Sequence, residues 1–102
     1  MISKDLEKKL AEAAELAKTK KHEFVTLEHL LLVLTEHPLA IEILEGVGAK
    51  IPEIRKYLHS YLQKLPHISQ DQIDEYGGFE SWSPEFTLAF HRLIQRAALQ
   101  VR

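Results

Sequence analysis

The sequence predicts an all-α fold. Apolar residues recur at helical spacing in nearly every segment. Capping and stop residues bracket these segments. The first and last apolar stripes also share one pattern. At 102 residues, the chain is one domain able to bury a modest core.

The first helix spans residues 4–20. Leu6, Leu10, Ala13, Ala14 and Ala17 share one face, charged residues fill the other, and Ser3 suits the N-cap. Lys18, Lys20 and Lys21 fall at its carboxyl end, where the helix dipole favours cations. The second helix reads as residues 27–37. Thr26 suits its N-cap, Glu28 lies at N2 in the positive field of the amide end, and Val25 and Leu30 are placed for a hydrophobic staple. Its run of leucines leaves almost no polar face, so this helix is predicted to be the buried centre. Pro38 ends it and opens a third helix, with Ala40, Ile41 and Leu44 inward and a stop at Gly46. A fourth starts at Pro52, with Ile54, Tyr57, Leu58, Tyr61, Leu62 and Leu65 on one face. Residues 66–83 break the helical period, and Gly77-Gly78 marks them as a linker, with Phe79 and Trp82 pinning its end to the core. The last helix begins near Ser83-Pro84-Glu85 or at Thr87, and Phe86, Phe90, Leu93, Ile94, Ala97, Ala98 and Val101 form its face.

An offset of 84 residues lays the first helix on the last: Leu6 on Phe90, Leu10 on Ile94, Ala13-Ala14 on Ala97-Ala98, and Ala17 on Val101. The recurring alanine pair implies close helix contact at the same place twice. On this reading the chain holds one full repeat and the first helix of a second.

Composition narrows the function. Hydrophobic residues are 45% and charged residues 27%, the balance of a soluble globular protein. A net charge of -2 lacks the basic footprint of nucleic-acid binding. LLLVL, residues 30–34, is far short of a membrane span, and the charged amino terminus does not read as a signal peptide. Without cysteine there is no disulfide framework, which fits a cytoplasmic protein. No G-x-S-x-G elbow is present, and glycines at 46, 48, 77 and 78 form no phosphate-cradling loop. The residues therefore predict a protein that is not an enzyme.

HEFVTLEHLL, residues 22–31, holds two His-carboxylate pairs. The H-E-x-x-H pattern would need histidine at 26, where Thr26 stands, and the inverted form would need it at 25, where Val25 stands. A metal-dependent hydrolase using His22, Glu23, Glu28 and His29 remains the alternative of a different class. His29, in the first turn of a buried helix, reads more simply as a packed, hydrogen-bonded residue. No spacing groups the six histidines, and His59 and His91 fall on polar helix sides.

A helix bearing Ala13-Ala14, then HEFVTLEHLLLVL (22–34), then a proline-led helix closing in EGVGAKI (45–51), resembles the amino-terminal domain of the Clp/Hsp100 AAA+ unfoldases. The string H-E-F-x-T-x-E-H-L-L-L is most similar to the ClpA branch, and FTLAFHRLIQRA (86–97) to the start of that domain's second repeat. The resemblance covers essentially all of residues 1–102. It implies a Clp N-domain-like helical bundle with one complete four-helix repeat and the first helix of a second. It further implies a non-catalytic module that docks protein substrates and a ClpS-type N-degron adaptor, linked to the ClpP protease through the rest of the unfoldase. No cofactor is expected in this domain; ATP belongs to AAA+ modules outside it. Carried over by resemblance, the adaptor-binding positions are Glu23, Glu28, Thr87 and Arg92. A truncated second repeat also implies self-association through the last helix. A stand-alone accessory protein of the same domain type is the nearer alternative.

Overall fold

A helix needs an apolar face and a way to end, and the first element has both. In this computed structural model, which describes residues 4–100 and the last four of them by backbone alone, α1 spans Lys4–Thr19. The proposed N-cap Ser3 and the stripe residue Val101 lie outside the described residues, as do the side chains of Ala97 and Ala98. Ala13 and Ala17 are fully buried against α2 (Leu27–Leu34), where small side chains let the two helices approach closely. α1 ends in a Schellman motif. The Lys21 amide donates to the Lys18 carbonyl at 2.9 Å and the His22 amide to the Ala17 carbonyl at 2.9 Å. Lys21 therefore takes a left-handed conformation, φ 57°, at the position where glycine is the usual occupant.

α2 is shorter than the sequence suggests. It ends at Leu34 rather than continuing to residue 37. Proline at 38 pushes His37 to extended geometry, φ -87° and ψ 121°, so the chain must leave the helix before it. Thr35 seals the end. Its buried hydroxyl donates to the Leu32 carbonyl at 2.6 Å and accepts from Arg55 at 2.9 Å. Nor is α2 buried all round. Its two turns wedge between α1 and α4 (Ile51–Gln63), which leaves Leu27 and Leu31 exposed on a third side.

The core lies in two adjoining clusters. Ala13, Ala17, Val25, Leu30, Val33 and Phe90 form one; Leu32, Leu58 and Leu62 form the other. α3 (Pro38–Gly46) buries no residue fully and packs on α4. Tyr57 and Tyr61, placed by period on the inner face of α4, stand exposed beside Leu31.

Residues 66–83 are not a structureless linker. They contain α5 (Gln70–Glu75), started by a reciprocal capping box in which the Ser69 hydroxyl accepts from the Gln72 amide at 3.2 Å and Gln72 Oε1 accepts from the Ser69 amide at 3.1 Å. A helix of six residues that buries only Ile73 has no periodicity to detect. Trp82 is buried, and the Lys18 ammonium sits 5.0 Å above the Phe79 ring, so this segment is pinned at its end as expected.

Two short strands complete the fold. β1 (Phe24–Val25) pairs in parallel with β2 (Glu85–Phe86), Phe24 opposite Glu85 and Val25 opposite Phe86. Each strand runs into a threonine that caps a helix: Thr26 before α2, and Thr87, whose hydroxyl accepts from the Phe90 amide at 3.2 Å, before α6 (Leu88–Gln100). Of the two proposed starts for the last helix, Thr87 is therefore the one observed. Phe90 and Ile94 of α6 enter the cluster that Ala13, Ala17 and Leu10 of α1 also enter. The described apolar face of α6 is thus covered in part within the chain, while Leu88 and Leu93 stand exposed. The architecture is all-α apart from these four strand residues, and among the described residues no helix is long and apolar enough to cross a membrane.

Relieving the left-handed lysine gives a direct test. Lys21→Gly is expected to raise unfolding free energy by about 1 kcal/mol, measured by urea denaturation, because the αL penalty for a residue with a Cβ outweighs the entropy of glycine.

Candidate functional site: the β1–α2 junction

The candidate site is built on the turn that carries the chain from α1 into α2. The Glu23 amide donates to the Pro66 carbonyl at 3.2 Å, and the Ile68 amide to the Lys21 carbonyl at 2.9 Å, so residues 21–23 and 66–68 form an antiparallel clasp. On the other side, the Glu85 amide donates to the Glu23 carbonyl at 3.4 Å and the Thr87 amide to the Val25 carbonyl at 3.1 Å. The strand pairing thereby gathers Glu23, the cap of α2 and the cap of α6 into one neighbourhood. Glu23 is exposed, Glu28 is half-buried at N2 of α2, and Thr87 is half-buried with its hydroxyl engaged in capping. Arg92 lies farther along α6 and is exposed.

The two carboxylates face different hollows. Glu23 lines a cavity of about 360 Å³ with Phe24, Glu75, Tyr76, Trp82 and Glu85. Glu28 lines a more open apolar groove of about 500 Å³ between α2 and α4, with Leu31, Glu53, Tyr57 and Tyr61. Sequence reasoning missed Glu75, Glu85, Tyr57 and Tyr61. Glu75 sits where the linker was expected, Glu85 where the last helix was thought to start, and the tyrosines looked like core.

Beneath the junction lies a histidine pair. His22 and His29 are both buried, with His22 Nδ1 at 2.8 Å from His29 Nε2. The Thr26 amide donates to His29 Nδ1 at 2.9 Å, so His29 fills the N3 place of a capping box usually held by Glu or Gln. The exposed His67 stacks edge-on to His22, ring centroids 4.8 Å apart. The fold therefore groups three histidines that no spacing grouped. Burial, then the charges of His67 and Lys20, holds His22 below the ordinary histidine value. Burial, then His22 and Lys20, pushes His29 down to about 4.

This arrangement disfavours the metal alternative. The Nδ1 lone pairs that His22 and His29 would offer a metal point at hydrogen-bond donors. Glu23 and Glu28 do not join the pair. Among the described residues, no group of three or more His, Cys, Asp or Glu is placed to hold a metal ion.

Comparison with known proteins bears on the whole chain. The family described as the Clp repeat (R) N-terminal domain matches residues 1–102. The chain is also similar to the "ClpA homolog protein" of Fuscovulum blasticum, at 33% identity over 101 residues. That match covers 99% of this chain and 12% of the relative, so the chain spans about an eighth of the relative's length.

Removing the imidazole should expose its structural role. His29→Ala leaves the Thr26 amide and His22 Nδ1 without their partner and opens a cavity, and is expected to cost about 3 kcal/mol in urea denaturation. His29→Gln, which can still accept from Thr26, is expected to cost about half as much.

Proposed function

Because the chain belongs to the Clp repeat (R) N-terminal domain family, we propose that it is a non-catalytic docking domain of a ClpA-type AAA+ unfoldase, binding a ClpS-type adaptor. The observation that supports this best is the pair Glu23 and Glu28, set on either side of one helix start beside exposed apolar surface. A partner bringing basic side chains and an apolar anchor complements such a surface, and the charges would set specificity and association rate. Thr87 and Arg92 extend the face along the start of α6. The small share of the ClpA homologue that the chain covers is in keeping with a terminal module on a much longer machine. On this reading the domain takes no cofactor of its own, ATP is handled by other modules, ClpP is reached through the unfoldase, and the setting is cytoplasmic.

The test is calorimetry with a ClpS-type adaptor. Glu23→Lys combined with Glu28→Lys is expected to weaken binding by roughly thirtyfold, about 2 kcal/mol, with the circular dichroism spectrum unchanged. Unaltered affinity would overturn the assignment of these residues.

A further inference from the structure

We infer that His22 and His29 form a proton-sensitive latch, which holds the β1–α2 junction on α4 while both rings are neutral and releases it when either ring gains a proton. The geometry carries this. A backbone amide can only donate, so the 2.9 Å contact from Thr26 N requires His29 Nδ1 to be unprotonated. The Thr26 hydroxyl, also 2.9 Å from that nitrogen, could play either role, but the amide cannot. A neutral His29 then carries its hydrogen on Nε2, which lies 2.8 Å from His22 Nδ1. His22 Nδ1 must accept, so His22 in turn carries its hydrogen on Nε2. The Leu62 carbonyl at the end of α4 is the backbone acceptor facing the His22 ring. One amide thus fixes both tautomers along a line from Thr26 to Leu62.

An added proton finds no free place on this line. At His22 Nδ1 it would put two hydrogens between the rings. At His29 Nδ1 it would face the Thr26 amide. Charging either ring therefore breaks at least one bond of the relay. The other groups acting on the pair make charging harder. Lys20, just past α1, and His67, on the 66–68 segment, are both cationic or able to become so. A charged ring gains water only by leaving its site, and this uncaps α2 and frees residues 21–26 from α4.

The folded value of His29 lies below that of the open form, so the open form binds more protons as pH falls below the ordinary histidine value. The closed state is therefore favoured above that value and lost on acidification. Glu23 and Glu28 flank the latch, so docking should weaken over the same pH interval. That consequence rests on the docking reading; the latch itself does not.

Long-range proton–nitrogen correlation on histidine-labelled chain tests the tautomers without any substitution. Both rings are expected to carry their hydrogen on Nε2 at neutral pH; a hydrogen on Nδ1 of His29 would overturn the proposal. Amide exchange then tests release. Protection at Thr26, relative to Leu62, is expected to fall roughly twentyfold between about pH 7 and pH 5. His29→Gln keeps the acceptor for Thr26, as Gln72 does for Ser69, and is expected to lessen that loss; His22→Gln combined with His29→Gln, which leaves neither ring, is expected to abolish it. The same loss in the double variant would overturn the latch. Loss of adaptor binding in acid in the double variant, with Thr26 protection constant, would count against the docking consequence alone.

Discussion

The hydrogen bond between His22 and His29 ties together several elements of this molecule. One ring follows the Schellman turn that closes α1, and the other caps α2. Through Leu62 the pair reaches α4, and through its stacking on His67 it meets the clasp that leads to α5. Two imidazoles can hold so many elements because each has one donor and one acceptor on opposite sides of a small rigid ring. Buried without partners they would be costly. Buried in series they fix the entry angle of α2, and with it the placement of Glu23 and Glu28.

Much of this was legible in the sequence, in the places where one residue has one dominant use. Thr26 and Thr87 cap helices, and Pro38 starts one. Gly48 takes positive φ just past α3, two residues beyond the glycine read as its stop, and Gly77 does so past α5, where glycine had marked only a linker. The same backbone motif closes α1 with Lys21, and there no signal could be read, because tertiary clasping holds a lysine where glycine is usual. α5 escaped notice because a two-turn helix with one buried residue has no stripe. Tyr57 and Tyr61 were misplaced for the opposite reason: the stripe was real, but α2 is too narrow to cover it.

The candidate site was legible as chemistry and not as shape. Glu23 and Glu28 stood out as carboxylates beside a helix start. That they open onto two hollows, one acidic with aromatic walls and one apolar, depends on how α5, β2 and α4 pack, which no local pattern specifies. The histidines show the same divide. His67 is far from His22 in sequence, and only the antiparallel bridge between them brings the rings together.

Phe90 sits fully buried in a cluster whose other buried members all precede position 34. The chain therefore cannot finish its first cluster until that late residue is available. During synthesis, α1 and α2 emerge before Phe90, which packs with them in the finished cluster. Folding of this domain is in that sense deferred, and a ribosome paused before residue 90 would present a sticky, incomplete core to whatever chaperone stands at the exit.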